Sequence, residues 1–201
     1  MARRTKAEAE RTRLRIIKTS LDEFLRKGYE RTTFEDVAGR IGLTKGAVYY
    51  HFKSKPELLV AVAEHMRSRH GGVFEGMSKA GSLEELRDVF VAQAEQVLGN
   101  AEARKFFVMM TRLDWSSSQA KPLRLWIARH DKGLLAEMKS LLEGLKNAGR
   151  IKKEVDTGIA ATVLTSLWVG LVKAKLDHGA AVDLPAAIRF GFDLAVAGMG
   201  K

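Results

Sequence analysis

The chain has 201 residues, 46% of them hydrophobic, with no cysteine and a formal charge of +10 at pH 7. That composition supports a substantial core and excludes an extended disordered chain, while the lack of cysteine excludes disulfides and thiolate metal sites. The excess charge is uneven, because residues 1–55 hold 14 Lys/Arg against 7 Asp/Glu, a balance of +7. A basic end on a nearly neutral body suits a polyanion-binding module attached to a second function, with a solvated charged surface as the alternative. The start, MARRTKAEAERTR, lacks a signal-peptide core, and the longest uncharged run, 157–172, is shorter than the roughly 18 apolar residues of a membrane span. The expectation is a cytoplasmic chain with no membrane partner.

In chain order, Leu14, Ile17, Leu21, Phe24 and Leu25 recur at three- and four-residue spacing and mark one face of a helix over about 5–27. Gly28 ends it as a C-cap, and Arg3, Arg4, Arg11, Arg13 and Arg15 load its front with positive charge. Thr33 is the expected N-cap of a two-turn helix whose first turn carries Glu35 and Asp36. Gly42-Leu43 turns the chain, and Thr44 caps a second short helix in which Val48 and Phe52 point inward. Ser54-Lys55-Pro56-Glu57 has capping-box spacing and opens a helix towards Gly71-Gly72. Further helices are expected over 82–98, 102–115, 121–148, 156–177 and 183–198. With three prolines and no alternation of strand type, the fold class is all-α with about nine helices.

Two short helices around a glycine turn, packed by Phe34, Val37, Ala38, Ile41, Val48 and Phe52, form a helix-turn-helix over about 33–52. Its second helix is the reader. Gly46 and Ala47 keep bulk away from its tip, so Lys45 can reach a guanine edge or a phosphate and the Ala47 methyl can meet a thymine methyl. Tyr49, Tyr50 and His51 face outward with donors for phosphate oxygens, and Thr33, Thr44 and Lys55 add donors near helix starts. Outside this spacing, Tyr49 and Tyr50 would instead read as core aromatics and Lys45 as a solvated surface lysine.

The segment from Thr33 to Lys55, continued by Pro56-Glu57-Leu58-Leu59, closely resembles the DNA-binding domain of the TetR family of bacterial transcriptional regulators. The preceding helix and Gly28-Tyr29 match that family's first helix and its end, so the resemblance covers about residues 10–65. It implies a DNA-binding domain over 1–55, an effector-binding and dimerisation domain over 56–201, a homodimer on a palindromic double-stranded DNA operator, and release by a small-molecule effector. By the same resemblance, Thr33, Lys45, Tyr49, Tyr50, His51 and Lys55 take DNA-contacting or DNA-adjacent positions, with Lys45 and Gly46 nearest the bases. The small Ala47 makes direct readout sparse and leaves part of the specificity to DNA shape.

In the C-terminal half, Thr162, Ser166, Gly170 and Ala174 repeat at four-residue spacing, as do Ala187, Gly191 and Ala195. Such rows allow close helix approach, and the two helices are expected to pair with their copies in a four-helix dimer interface; packing within one subunit is the alternative. The resemblance also implies an effector cavity, for which Phe107, Met110, Asp114, Trp126, His130 and Trp168 are the candidates. The five histidines show no metal-ligand spacing, and GxSxG, P-loop and dinucleotide fingerprints are missing. No enzyme activity, cofactor or metal is expected. The alternatives to a ligand-responsive repressor are an architectural DNA-binding protein and, more distantly, a helical enzyme fused to a DNA-binding head.

Overall fold

The computed structural model describes residues 6–70, 77, 80–130 and 132–199, with the side chains of 70, 130, 132–134 and 180 left aside. Arg3, Arg4 and the expected helix end at Gly71-Gly72 lie outside the described residues. Ten α-helices are described: α1 Lys6–Lys27, α2 Phe34–Arg40, α3 Lys45–His51, α4 Lys55–His70, α5 Leu83–Gly99, α6 Ala101–Arg112, α7 Lys121–His130, α8 Lys132–Asn147, α9 Thr157–His178 and α10 Leu184–Met199. The difference from nine arises at 121–148, described as two stretches on either side of residue 131, which is itself outside the described residues. Among the described residues there is no strand, so the all-α reading holds.

The chain divides into two packed units. The first joins residues 1–71 to 102–127. Its core gathers Ile16, Ile17, Leu21 and Phe24 of α1, Val37 of α2, Val48 of α3, Leu58, Leu59, Val62 and Met66 of α4, Met109 of α6 and Leu123 of α7. A cut at residue 55 follows the motif, but packing draws another line, because α4 buries its apolar face against α1.

The helix ends explain why α2 and α3 stand where they do. Gly28, at φ +84°, takes the left-handed turn that ends α1. Thr33 caps α2 by accepting from the Asp36 N–H at 3.3 Å, and the Asp36 carboxylate accepts from the Thr33 N–H at 2.9 Å, a reciprocal capping box. Gly42, at φ +66°, reverses the chain, and Leu43 N–H returns to the Ala38 carbonyl at 2.9 Å. Thr44 then caps α3 by accepting from the Ala47 N–H at 3.2 Å. At α4 the expected box is shifted: Ser54 Oγ accepts from Glu57 N–H, but the Glu57 carboxylate reaches back to Lys53 N–H at 2.8 Å.

The second unit joins residues 72–101 to 128–201 and contains α5, α8, α9 and α10. Trp168 of α9 is buried, and its indole N–H donates to the Phe90 carbonyl of α5 at 2.9 Å. Phe90 meets Phe192 of α10 edge to face at 5.5 Å. Asp156 caps α9 by accepting from the N–H groups of Gly158 and Ile159. By length and composition α9 is the one described helix apolar enough to cross a membrane. It reaches that composition through two apolar faces: Ala160, Leu164, Trp168 and Val172 are buried in the unit, while Ile159 and Val163 are bare.

Candidate nucleic-acid interface

The reading helix α3 is held by its inner side. Val48 and Phe52 are fully buried, whereas Lys45, Gly46, Tyr49 and Tyr50 are exposed and Ala47 and His51 half-buried. Tyr50 is 74% exposed and Tyr49 44%, so the two phenols stand outward as the spacing predicts. Tyr49 also rests edge to face on Phe34 of α2 at 4.8 Å, and the His51 ring meets Tyr50 at 5.0 Å. Around Gly46 the nearest atom to an added Cβ is the Thr44 hydroxyl at 3.8 Å; its smallness keeps the outer surface low rather than serving the interior.

Three expected contacts have a different local employment. The Lys55 ammonium donates to the carbonyls of Tyr29 and Glu30 at 2.9 and 2.8 Å and lies 4.7 Å over the Tyr29 ring. Burial pushes its pKa down. Two of its three protons thus tie the start of α4 to the α1–α2 loop. Thr33 and Thr44 use their hydroxyls as helix caps. The basic front of α1 is partly engaged as well, with the Arg13 guanidinium 5.1 Å over the Phe52 ring and Arg15 donating to the Ile41 carbonyl at 3.1 Å.

The charges between α1 and α2 are paired. Lys27 bonds the Asp36 carboxylate, and that bond, followed by the Thr33 N–H, holds Asp36 down to about pKa 2. Glu23, only 1% exposed, lies between Arg26 and Arg40, with its oxygens 3.2 Å from Arg26 Nε and 3.7 Å from Arg40 Nε. Sequence reasoning missed this clamp. Its signal was the position of Glu23 seven residues after Ile16 and three after Ser20, on the buried face of α1.

The effector candidates are divided between the two units. Trp168 belongs to the core of the second unit, whereas Phe107, Met110, Asp114 and Trp126 lie in the first. Asp114 accepts from Ser116 N–H and Oγ at 2.9 and 2.6 Å, bonds that lower its pKa and close a surface turn. The His130 side chain lies outside the described residues. A cavity of about 480 Å³ is lined by Ala80, Glu137, Ser140, Leu141, Gly144 and Arg150 among others, and one of about 160 Å³ by residues including Ile17, Lys18, Val62, His65 and Lys105. None of the six candidates lines either cavity, because apolar and polar residues chosen by type carry no information about which helix face meets which.

The small-residue rows also separate. On α9, Thr162, Ser166 and Gly170 are exposed, Ala174 is half-buried, and a Cβ on Gly170 would meet nothing within 4 Å. On α10, Ala187, Gly191 and Ala195 are half-buried, and a Cβ on Gly191 would lie 3.0 Å from Leu167 Cδ2 of the same chain. Gly191 therefore packs closely on a side chain of its own subunit. The outward residues that the row analysis missed are Phe190 and Leu194, 67% and 60% exposed on α10; their four-residue spacing was the available signal.

Residues 16–62, from within α1 into α4, match the profile of bacterial regulatory proteins of the tetR family. Over 190 residues the chain is 27% identical to the HTH-type transcriptional regulator TtgR of Pseudomonas putida, covering 92% of this chain and 89% of that one. Over 62 residues, 31% of this chain and 29% of the other, it is 50% identical to the regulator SrpR of Pseudomonas putida. Among solved structures, a SmeT–triclosan complex superposes with a TM-score of 0.77 at 26% identity, covering 94% of this chain and 92% of that one; SmeT is the repressor of the Stenotrophomonas maltophilia multidrug efflux pump SmeDEF. Residues 16–62, which hold the helix-turn-helix, thus carry the N-terminal domain of the tetR family of bacterial regulatory proteins.

Proposed function

We propose that the chain is a cytoplasmic transcriptional repressor that binds a palindromic operator as a homodimer and leaves it when a small-molecule effector binds the C-terminal half. The observation that carries this reading is the split of α3: Val48 and Phe52 anchor it while Lys45, Tyr49 and Tyr50 face outward beside a bare Gly46. That arrangement suits a short helix entering a major groove, with the phenols donating to phosphates. The dimer is supported by Ile159, Val163, Phe190 and Leu194, large apolar side chains left exposed on neighbouring helices α9 and α10. Ser166 and Gly170 add a low surface where a second copy of α9 can approach. Regulation of efflux genes is the physiological setting favoured by the likeness to the SmeDEF repressor.

The reading is tested by titrating a fluorescent random-sequence duplex with the full chain at about 50 to 200 mM salt. Binding that weakens linearly in log affinity against log salt is expected, since phosphate neutralisation releases counterions. No binding, or binding indifferent to salt, would contradict it.

A further inference from the structure

Lys45 and Glu35 belong to different helices of the head. Glu35 is the second residue of α2 and Lys45 the first of α3. The edge-to-face contact of Phe34 with Tyr49 draws the start of α2 against α3. There the Lys45 ammonium meets the Glu35 carboxylate in an ion pair and also lies 5.8 Å over the Tyr49 ring. Both side chains remain half exposed, at 50% and 56%, so the pair sits on the surface that α3 offers outward. The neighbouring acid, Asp36, is bonded to Lys27 instead, which leaves Lys45 and Glu35 to each other. The pairing raises the lysine pKa and lowers that of the glutamate, so both are charged at neutral pH.

We propose that Glu35 is a specificity-determining residue of the DNA-binding head, which holds Lys45 back from phosphates and releases it only to a matching base pair. The proposal rests on the DNA-binding reading above. Nonspecific affinity comes from cations that displace condensed counterions, and a lysine already neutralised by a carboxylate contributes little to it. A lone anion beside the backbone also repels it. At a G·C pair both groups find substitutes: the ammonium donates to guanine O6 or N7, and the carboxylate accepts from the cytosine N4 amine. Elsewhere, parting the pair leaves the carboxylate without a donor. The carboxylate therefore lowers affinity for random sequence more than for the correct site. This supplies discrimination at a tip where Gly46 and Ala47 offer no hydrogen-bonding side chain.

The test compares wild type, Glu35→Gln, Lys45→Ala and the double variant by anisotropy on random and on selected duplexes across salt. Circular dichroism confirms that these surface variants keep the fold. Glu35→Gln is expected to steepen the salt slope on random duplex by about one unit, equivalent to about three- to fourfold between 50 and 200 mM. The ratio of selected to random affinity should fall. In the Lys45→Ala background the same substitution should leave the slope unchanged. An unchanged slope in the single variant would overturn the proposal. So would an equal gain with and without Lys45, which would mark Glu35 as a plain repulsive charge. Failure of wild type to bind either duplex would instead sink the DNA-binding reading itself, so the two failures are distinguishable.

Discussion

The α1–α4 head and the last two helices leave different kinds of apolar surface uncovered. Across α1–α4 the exposed large apolar side chains are Tyr49 and Tyr50, each ending in a hydroxyl, and both lie on the reading helix. On α9 and α10 they include Ile159, Val163, Phe190 and Leu194, which have no polar tip. A phenol can give up water for a phosphate oxygen, whereas an aliphatic chain gains only by meeting another apolar surface. The first kind of exposure fits a hydrated polyanion and the second a dry contact with another protein chain.

The strongest way to break this comparison is to remove the anchor of the reading helix. Phe52→Ala empties a buried site and is expected to cost about 3–5 kcal/mol, read as a lowered urea midpoint together with lost DNA binding. A variant with the wild-type midpoint would show that α3 is held otherwise. The matching test on the second unit is the double substitution of Phe190→Asp and Leu194→Asp. Both positions are exposed, so helicity should persist while the dimer weakens by at least about 3 kcal/mol, or more than a hundredfold. Sedimentation that still shows an intact dimer would put the interface elsewhere. Gly170→Leu tests the same face on α9, where open space means that only a second chain would be obstructed.

Finer variants separate scaffold from contact within the head. Lys55→Ala should lose about 1 kcal/mol of stability through its two carbonyl acceptors while leaving the salt slope of DNA binding nearly unchanged. A slope reduced by about one unit would restore Lys55 as a phosphate contact. Thr33→Ala should likewise cost about 1 kcal/mol by removing the cap of α2. The smallest effect expected is from acid. Asp36 has a folded pKa of about 2, below the roughly 3.9 of an unfolded aspartate. Its contribution is therefore complete above about pH 4 and lost as pH falls through 2. Asp36→Asn should flatten the acid limb of the melting temperature in that window; an unaltered limb would remove Asp36 as its source.

The head was legible in sequence because its determinants are local. Thr33, Gly42, Thr44 and Ser54 each act within a turn of where they stand, and Val48 and Phe52 report their direction by helical spacing. The local partners of Lys55, the carbonyls of Tyr29 and Glu30, lie 26 and 25 residues earlier, and a motif position does not reveal where a flexible side chain turns. Lys45 hid its pairing with Glu35 for the same reason. In the second unit the rows of small residues were real, but a row shows that something comes close, not which chain it belongs to. Gly191 meets Leu167 of its own subunit, while Gly170 meets nothing. The aromatic and methionine candidates were read from residue type, which signals adaptability, whereas only the packing of helices decides whether a space is left.

The most direct test of the central claim, that α3 reads DNA from a two-fold dimer, is selection of bound duplexes from a randomised pool by the full chain. An inverted repeat whose half-sites lie about one helical turn, or a multiple of it, apart is the expected result. A recovered pool without symmetry, or without any enriched sequence, would contradict it.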